Sequence, residues 1–319
     1  GLAMTAQAAD VEVYGTTYRP LEDVAAQFGL RATWITPEKT MALKGQYSTL
    51  DFTVNEREMH LNYQPVAFGS PVIYYKGELW ISKKDAEKNI GPLLAPLTLP
   101  NPPALHRIVL DPGHGGKDPG GENLALGVNE KVNTLDVALR LAKILRAQGY
   151  EVTLTRQDDH FVELKERAAI ANAARGDLYI SMHFNIAADP AVNGIETYVL
   201  TPAGQPSSGR TDLQPTDKVV LPNNRYDGWN AVAGFSVEWA ATHELQANNR
   251  GLKRARYAVF TDLQMPGMLI EGGFLTNTTE GRKIATAAYH EQLAQAIADG
   301  IALYAKTLEK AHAAAAGKG

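Results

Sequence analysis

Apolar and polar positions follow one rhythm before residue 91 and another after residue 106. In the first stretch they alternate over short runs: Val11-Glu12-Val13-Tyr14, then 32–35, 40–44, 50–54, 59–63 and 78–81, separated by polar turn residues. A period of two puts every second side chain on the same face, so these runs predict small antiparallel strands. Two segments break the series. Residues 19–29 read as a helix, with Pro20 near the start and Gly29 at the end, the two places where a helix accepts them. Ser82-Lys83-Lys84-Asp85-Ala86-Glu87 reads as a closing helix, with the Ser82 hydroxyl as cap for a first-turn amide. Residues 10–91 therefore predict a small α+β domain, whose one histidine, His60, has no chemical neighbour in sequence.

After residue 106 short strand-like runs alternate with amphipathic stretches. Arg107-Ile108-Val109-Leu110, 151–155, Leu178-Tyr179-Ile180-Ser181-Met182, 194–200 and 268–270 read as strands; 133–148, 164–174, 229–247 and 284–308 read as helices. Such alternation predicts an α/β domain over 107–309: a mixed, mostly parallel sheet flanked by helices on both faces. Between the two rhythms, 92–103 holds five prolines in twelve residues. Proline interrupts helices and central strands alike, so 92–106 predicts a semi-rigid linker. Residues 310–319, rich in Ala, Gly and Lys, are expected to fray as a flexible tail.

Composition narrows the chemistry. A chain of 319 residues with 45% hydrophobic and 21% charged residues is globular and long enough for two cores. Net charge of -4 gives no footprint for a nucleic-acid partner. Cysteine is absent, so any metal must be held by His, Asp or Glu. No apolar run reaches the roughly 18 residues of a membrane span. Gly1-Leu2-Ala3-Met4 lacks a charged region followed by an apolar one, so no signal peptide is expected there, and an export signal would precede residue 1.

Three polar groups stand directly after strand-like runs. His114 follows Asp111-Pro112-Gly113, His183 follows Met182, and Glu271 follows Ile270 and precedes Gly272-Gly273. In α/β sheets ligands gather at the C-terminal strand ends, so the strands would deliver all three to one edge. Two histidines and a carboxylate there match the ligand set of a catalytic zinc; read alone, each histidine is more often a hydrogen-bonded structural group and the glutamate is usually just solvated. Glu130 reads only as a first-turn helix residue suited to the helix dipole. His243-Glu244-Leu245-Gln246-Ala247 starts like a zincin helix but carries Ala where the second histidine would stand. His106, His160, His290 and His312 have no comparable context.

Six segments then occur in one order: 108–116 (Ile-Val-Leu-Asp-Pro-Gly-His-Gly-Gly), Asn129-Glu130-Lys131, 167–185 ending in Met182-His183-Phe184-Asn185, Gly194-Ile195-Glu196-Thr197, Asn249-Arg250-Gly251-Leu252-Lys253, and Leu269-Ile270-Glu271-Gly272-Gly273-Phe274. In these, residues 107–308 resemble the zinc N-acetylmuramoyl-L-alanine amidases of the amidase type 3 family. The resemblance implies that Zn2+ is held by His114, Glu130 and His183, with Glu271 as the catalytic carboxylate. It implies a peptidoglycan hydrolase acting on muramyl peptides, at the amide between the lactyl group of N-acetylmuramic acid and the L-alanine of the stem peptide. The location implied is extracytoplasmic, the periplasm or cell wall. Another zinc-dependent peptidoglycan peptidase or deacetylase would use the same chemistry on a different bond, and a non-catalytic wall-binding regulator would use the fold without it.

Between Leu200 and Trp229 the chain carries a Gly/Pro/Ser/Asp-rich stretch longer than the family's simplest members have. Some relatives plug the zinc site with an inhibitory helix until an activator protein displaces it; this stretch is too rich in Pro and Gly for such a helix and is expected to be a groove wall or lid. Residues 10–91 resemble the small stalk-like module named after the N-terminal domain of copper amine oxidases. That implies no copper site, and leaves tethering, positioning or plain spacing as its role.

Overall fold

The computed structural model describes residues 10–317. The N-terminal part runs β1 (Val11–Val13), β2 (Thr16–Pro20), α1 (Leu21–Gln27), β3 (Arg31–Thr36), β4 (Thr40–Lys44), β5 (Thr49–Thr53), β6 (Glu58–Leu61), β7 (Gln64–Ala67), β8 (Ile73–Tyr75) and β9 (Glu78–Ser82). It closes in two short helices, α2 (Lys83–Asp85), capped by the Ser82 hydroxyl as expected, and α3 (Gly91–Leu94). Then come β10 (Arg107–Pro112), the small hairpin β11 (Glu122–Asn123) and β12 (Val128–Asn129), α4 (Glu130–Ala147), β13 (Glu151–Leu154), α5 (Leu164–Ala173), β14 (Leu178–Asn185) and β15 (Ile195–Leu200). The chain ends with α6 (Asp227–Glu244), β16 (Asn249–Ala255), α7 (Ala258–Thr261), β17 (Gly267–Phe274), α8 (Glu280–Ile284) and α9 (Ala287–Ala316).

The strands β13, β10, β14 and β17 are parallel neighbours in that order. The inner strands β10, β14 and β17 read as apolar runs because both of their faces are covered, whereas β13 at the sheet edge is only partly buried. Ile108, Leu110, Ile180, Met182, Met268 and Ile270 point into the large core under α4, α6 and α9. Their alternates Val109, Tyr179 and Leu269 pack on the opposite face against Ala168 and Ala171 of α5 and Val259 and Phe260 of α7. Beyond β17 the direction reverses: β15 pairs antiparallel to it, and β16 runs parallel to β15. The expected mixed, mostly parallel sheet with helices on both faces is thus the observed architecture of the strands after residue 106.

The sheet does not stop there. β16 pairs with β7 through Leu252 and Val66, and β6, β5, β4 and β3 continue the order to eleven strands. Only β1, β2, β9 and β8 form a separate sheet of the N-terminal part. One apolar core runs from Leu21 and Phe52 in the first part to Leu293 and Tyr304 in α9.

The proline-rich stretch expected as a semi-rigid linker is folded down onto this body. Its Leu93, Leu94, Leu99 and Leu105 pack on the core, and the Trp229 indole donates to the Pro100 carbonyl at 3.0 Å. The tail expected to fray from residue 310 is instead helical to Ala316, because Leu308 and Ala311 are buried beneath it; residues 1–9, 318 and 319 lie outside the described ones.

Candidate functional site

The register of the parallel strands sets the site. His183 on β14 lies beside Glu271 on β17, and Glu271 lies beside Glu196 on β15, so three polar side chains share the α5/α7 face at one end of the sheet. His114 stands two residues past β10 in a left-handed backbone conformation, φ 62°. Gly113 before it leaves room that a Cβ would take from the His183 ring, at 2.4 Å.

Glu130 completes the group from the first residue of α4. Its helix starts there because Asn129 caps it, accepting from the Val132 amide. Glu130 is buried, and both its oxygens are aimed: Oε1 at His183 Nδ1, 2.8 Å, and Oε2 at His114 Nε2, 3.0 Å. The Phe184 and Gly121 amides donate to the same two oxygens at 3.0 and 2.8 Å. One ligand atom from each of His114, Glu130 and His183 lies within 4.8 Å of the others, a spacing a single ion could bridge. His114 turns its other nitrogen, Nδ1, to Asp118 at 2.8 Å. A carboxylate behind a metal-binding imidazole orients the ring and raises its basicity.

Glu271 differs from its neighbours. Its Oε2 is shielded from solvent and has no hydrogen-bond partner among the described residues. Burial pushes its carboxyl well up, and the charges of Glu130 and Glu196 add to this against Lys253. Glu130 moves the other way: burial opposes its charge, but the two histidines outweigh that and hold its carboxyl well down. Glu196 is likewise held low once Lys253 and Arg250 overcome its burial. The group of three carboxylates therefore has two fixed cations, both on Glu196, and an orphaned oxygen on Glu271. A divalent cation between His114, Glu130 and His183 fits that imbalance, since it supplies the positive charge this end of the sheet lacks.

The loop carrying His114 is fastened from beneath. Asp111 is fully buried and accepts from Arg167 at 2.8 Å and from the hydroxyls of Thr155, Tyr179 and Ser181 at 2.6–2.7 Å. Burial alone would raise its carboxyl, but Arg167 and the hydroxyls bring it below the ordinary range. Arg167 also donates to the carbonyls of Pro112 and His114, both at 2.8 Å, while Arg156 donates to those of Pro112, Gly113 and Lys131. Sequence reasoning gave none of Asp111, Asp118, Arg156, Arg167 or Glu196 a role. One signal was available: Arg167 shares the buried face of α5 with Ala168 and Ala171, where a charge needs a partner.

Above this floor lies a cleft of about 410 Å³ lined by His114, Glu130, His183 and Glu271, with apolar walls from Leu164, Ile186, Val259 and Leu269. The remaining histidines are elsewhere. His243 stacks on Trp239 at 4.9 Å, and buried His290 is bonded to Asp136 and the Ile284 carbonyl. His60, His106, His160 and His312 do not line the cleft.

Comparison with known proteins bears on this arrangement. A family model described as N-acetylmuramoyl-L-alanine amidase matches residues 108–303, and one described as copper amine oxidase N-terminal domain matches residues 1–91. The N-acetylmuramoyl-L-alanine amidase LytC of Bacillus subtilis (strain 168) is 33% identical over 206 residues, which is 65% of this chain and 37% of that protein. The solved N-acetylmuramoyl-L-alanine amidase AmiC2 of Nostoc punctiforme is 31% identical with a TM-score of 0.53, covering 63% of this chain and 97% of that one. The CwlD amidase of Clostridioides difficile, solved in complex with the GerS lipoprotein, is 25% identical with a TM-score of 0.53, covering 63% and 98%. This chain spans little more than a third of the length of LytC.

Proposed function

Because the chain belongs to the N-acetylmuramoyl-L-alanine amidase family, we propose that it hydrolyses peptidoglycan at the amide between the lactyl group of N-acetylmuramic acid and the L-alanine of the stem peptide. His114, Glu130 and His183 would hold zinc, and Glu271 would work the attacking water. The observation that carries this is the convergence of those three ligands in one cleft with a carboxylate whose Oε2 is buried and unpartnered.

Bound zinc supplies Lewis acidity, which acidifies water and polarises an amide carbonyl. The protein's own groups do the rest. Amides 121 and 184 fix the Glu130 carboxylate, and Asp118 fixes the His114 ring, so the ligands are set before an ion arrives. Glu271 takes a proton from the attacking water and delivers it to the departing nitrogen, because an amine leaves only when protonated. Val259 and Leu269, both buried, form the apolar wall beside that transfer.

Digestion of purified peptidoglycan followed by mass spectrometry tests the reading. Stem peptides with a free L-alanine amino terminus are expected, abolished by a chelator and restored by zinc. A free glucosamine amine in the digest would make the protein a deacetylase, and an internal peptide amine would make it a peptidase. His114→Ala and His183→Ala are each expected to lower bound zinc to well below one per chain in elemental analysis. Full occupancy in either variant would remove that residue from the ligand set. The substrate places the protein outside the cytoplasm, in the periplasm or cell wall. Given the lipoprotein-bound relative, an activator protein belongs to the proposal, and cleavage of small muramyl peptides without cleavage of intact wall would call for one.

A further inference from the structure

Beside the catalytic cleft lies a second, larger cavity of about 620 Å³, and the two share Tyr257. Its wall is the stretch between β15 and α6, which contributes Ser207, Arg210, Thr216 and Asp217. Its floor is the end of β16, with Arg254 and Arg256. Tyr198 links the two spaces: it lines this cavity, stacks obliquely on Tyr257 at 5.3 Å, and donates to Glu196 at 2.8 Å.

The wall is a fixed structure and not a free loop. Gln205 donates to the buried Asp85 of the N-terminal part at 2.7 Å. Lys84 donates to the Ala203 carbonyl at 2.7 Å, and Arg57 to the Arg210 carbonyl. Arg254 reaches from the floor to Asn89 Oδ1 at 2.6 Å. The Gln205 side chain also sits so close to Gly69 that a Cβ there would meet it at 2.6 Å. Four contacts from the N-terminal part thus hold the shape of a cavity that opens beside the catalytic residues.

Charge on the lining is one-sided. Arg210 is paired with Asp217 at 2.8 Å, but no ion pair among the described residues includes Arg254 or Arg256, which donate to neutral oxygens only. Arg254 is buried and spends its donors on Asn89 and the Leu200 and Lys88 carbonyls, so the cation left for a ligand is the half-buried Arg256, beside the Arg210–Asp217 pair. Arginine forks recognise carboxylates, and hydroxyls at Ser207 and Thr216 add donors that suit the same ligand.

We propose that this cavity is a substrate subsite for a carboxylate-bearing peptide, selecting stem peptides with free acidic groups beyond the scissile amide, and that the N-terminal part serves to hold its wall. The inference rests on the amidase reading for the identity of the peptide. On the glycan side the N-acetylated sugars carry no free acid once the lactyl group is in amide linkage, so the cationic cavity belongs to the peptide side.

The test compares two synthetic muramyl peptides of one sequence, with acidic groups free or amidated, on the zinc-loaded full chain. In Arg256→Gln, KM for the free-acid substrate is expected to rise about tenfold with kcat within about twofold, while the amidated substrate changes little. Arg256→Lys, which keeps the charge, should retain most of the discrimination. Equal changes on both substrates would mean Arg256 only braces the wall, and would overturn the subsite; so would a wild-type protein indifferent to amidation. Calorimetric binding of the free stem peptide gives a reading that needs no turnover: about tenfold weaker binding in R256Q is expected, and unchanged binding overturns the subsite. Peptide binding without turnover by the wild type would overturn the amidase reading alone.

Discussion

Glu271→Gln is expected to lower turnover of muramyl peptides about a thousandfold, within the range that general acid–base groups contribute, while zinc stays bound at wild-type stoichiometry. Glutamine keeps the shape of the side chain and loses the ability to carry a proton. Glu271 is outside the three-residue cluster that would hold the ion, and its Oε2 accepts no hydrogen bond that the change could break. The substitution also removes one of three carboxylates crowded at this end of the sheet, the one whose charge is opposed by burial and by Glu130 and Glu196. Stability of the metal-stripped variant should accordingly equal or exceed that of the wild type. Peptide release under saturating zinc, elemental analysis and thermal unfolding check the three parts. A near-normal rate would take proton transfer away from Glu271; a normal zinc content with a collapsed melting temperature would show instead that the carboxylate is part of the scaffold.

The site was readable where the chain's burial pattern and its chemistry coincide. Runs such as Ile108-Val109-Leu110 and Leu178-Tyr179-Ile180 are apolar on both faces because helices cover both, and each run ends where His114 or His183 stands. Glu130 was not readable from pattern at all, since a first-turn glutamate looks the same whether it faces solvent or two histidines; only its resemblance to the amidases singled it out. Strand β16 escaped for the opposite reason. Asn249-Arg250-Gly251-Leu252-Lys253-Arg254-Ala255 is polar, yet it lies inside the sheet between β15 and β7. Its charges are consumed by Glu196 and Asn89, partners far away in sequence. Strand β7 escaped because it contains Pro65, which argues against an interior strand. With both of the joining strands hidden, the continuity of the sheet across the two parts was hidden too. The prolines at 92–103 do not exclude short helical turns, since Pro92 and Pro96 sit at the starts of such turns, where proline is accepted, and proline content says nothing about whether a segment spans solvent or packs on a core.

Those same long-range partnerships make Arg167→Met the substitution with the largest expected effect on stability, about 3–5 kcal/mol, the usual cost of stripping one partner from a buried ion pair. Arg167 binds Asp111 and the carbonyls of Pro112 and His114 with one guanidinium, so its loss strands a buried carboxylate and frees the loop on which His114 stands. Arg156 still holds Pro112, Gly113 and Lys131, which should keep the variant folded. Zinc affinity is expected to fall about tenfold or more, as when supporting shells of metal sites are removed. The pH dependence identifies the cause. In the wild type the Asp111 carboxyl lies below its ordinary value of 3.8; its stabilising contribution is present above that pH and is lost as pH falls. Without Arg167, burial is opposed only by the hydroxyls of Thr155, Tyr179 and Ser181, so the carboxyl moves up from its wild-type position and the cost of ionising it grows as pH climbs toward neutrality. The stability gap between wild type and R167M should therefore be widest near pH 7 and narrow toward about pH 4, measured by denaturant unfolding of metal-stripped protein. A gap of constant size across that range would assign the loss to the broken carbonyl contacts and not to Asp111.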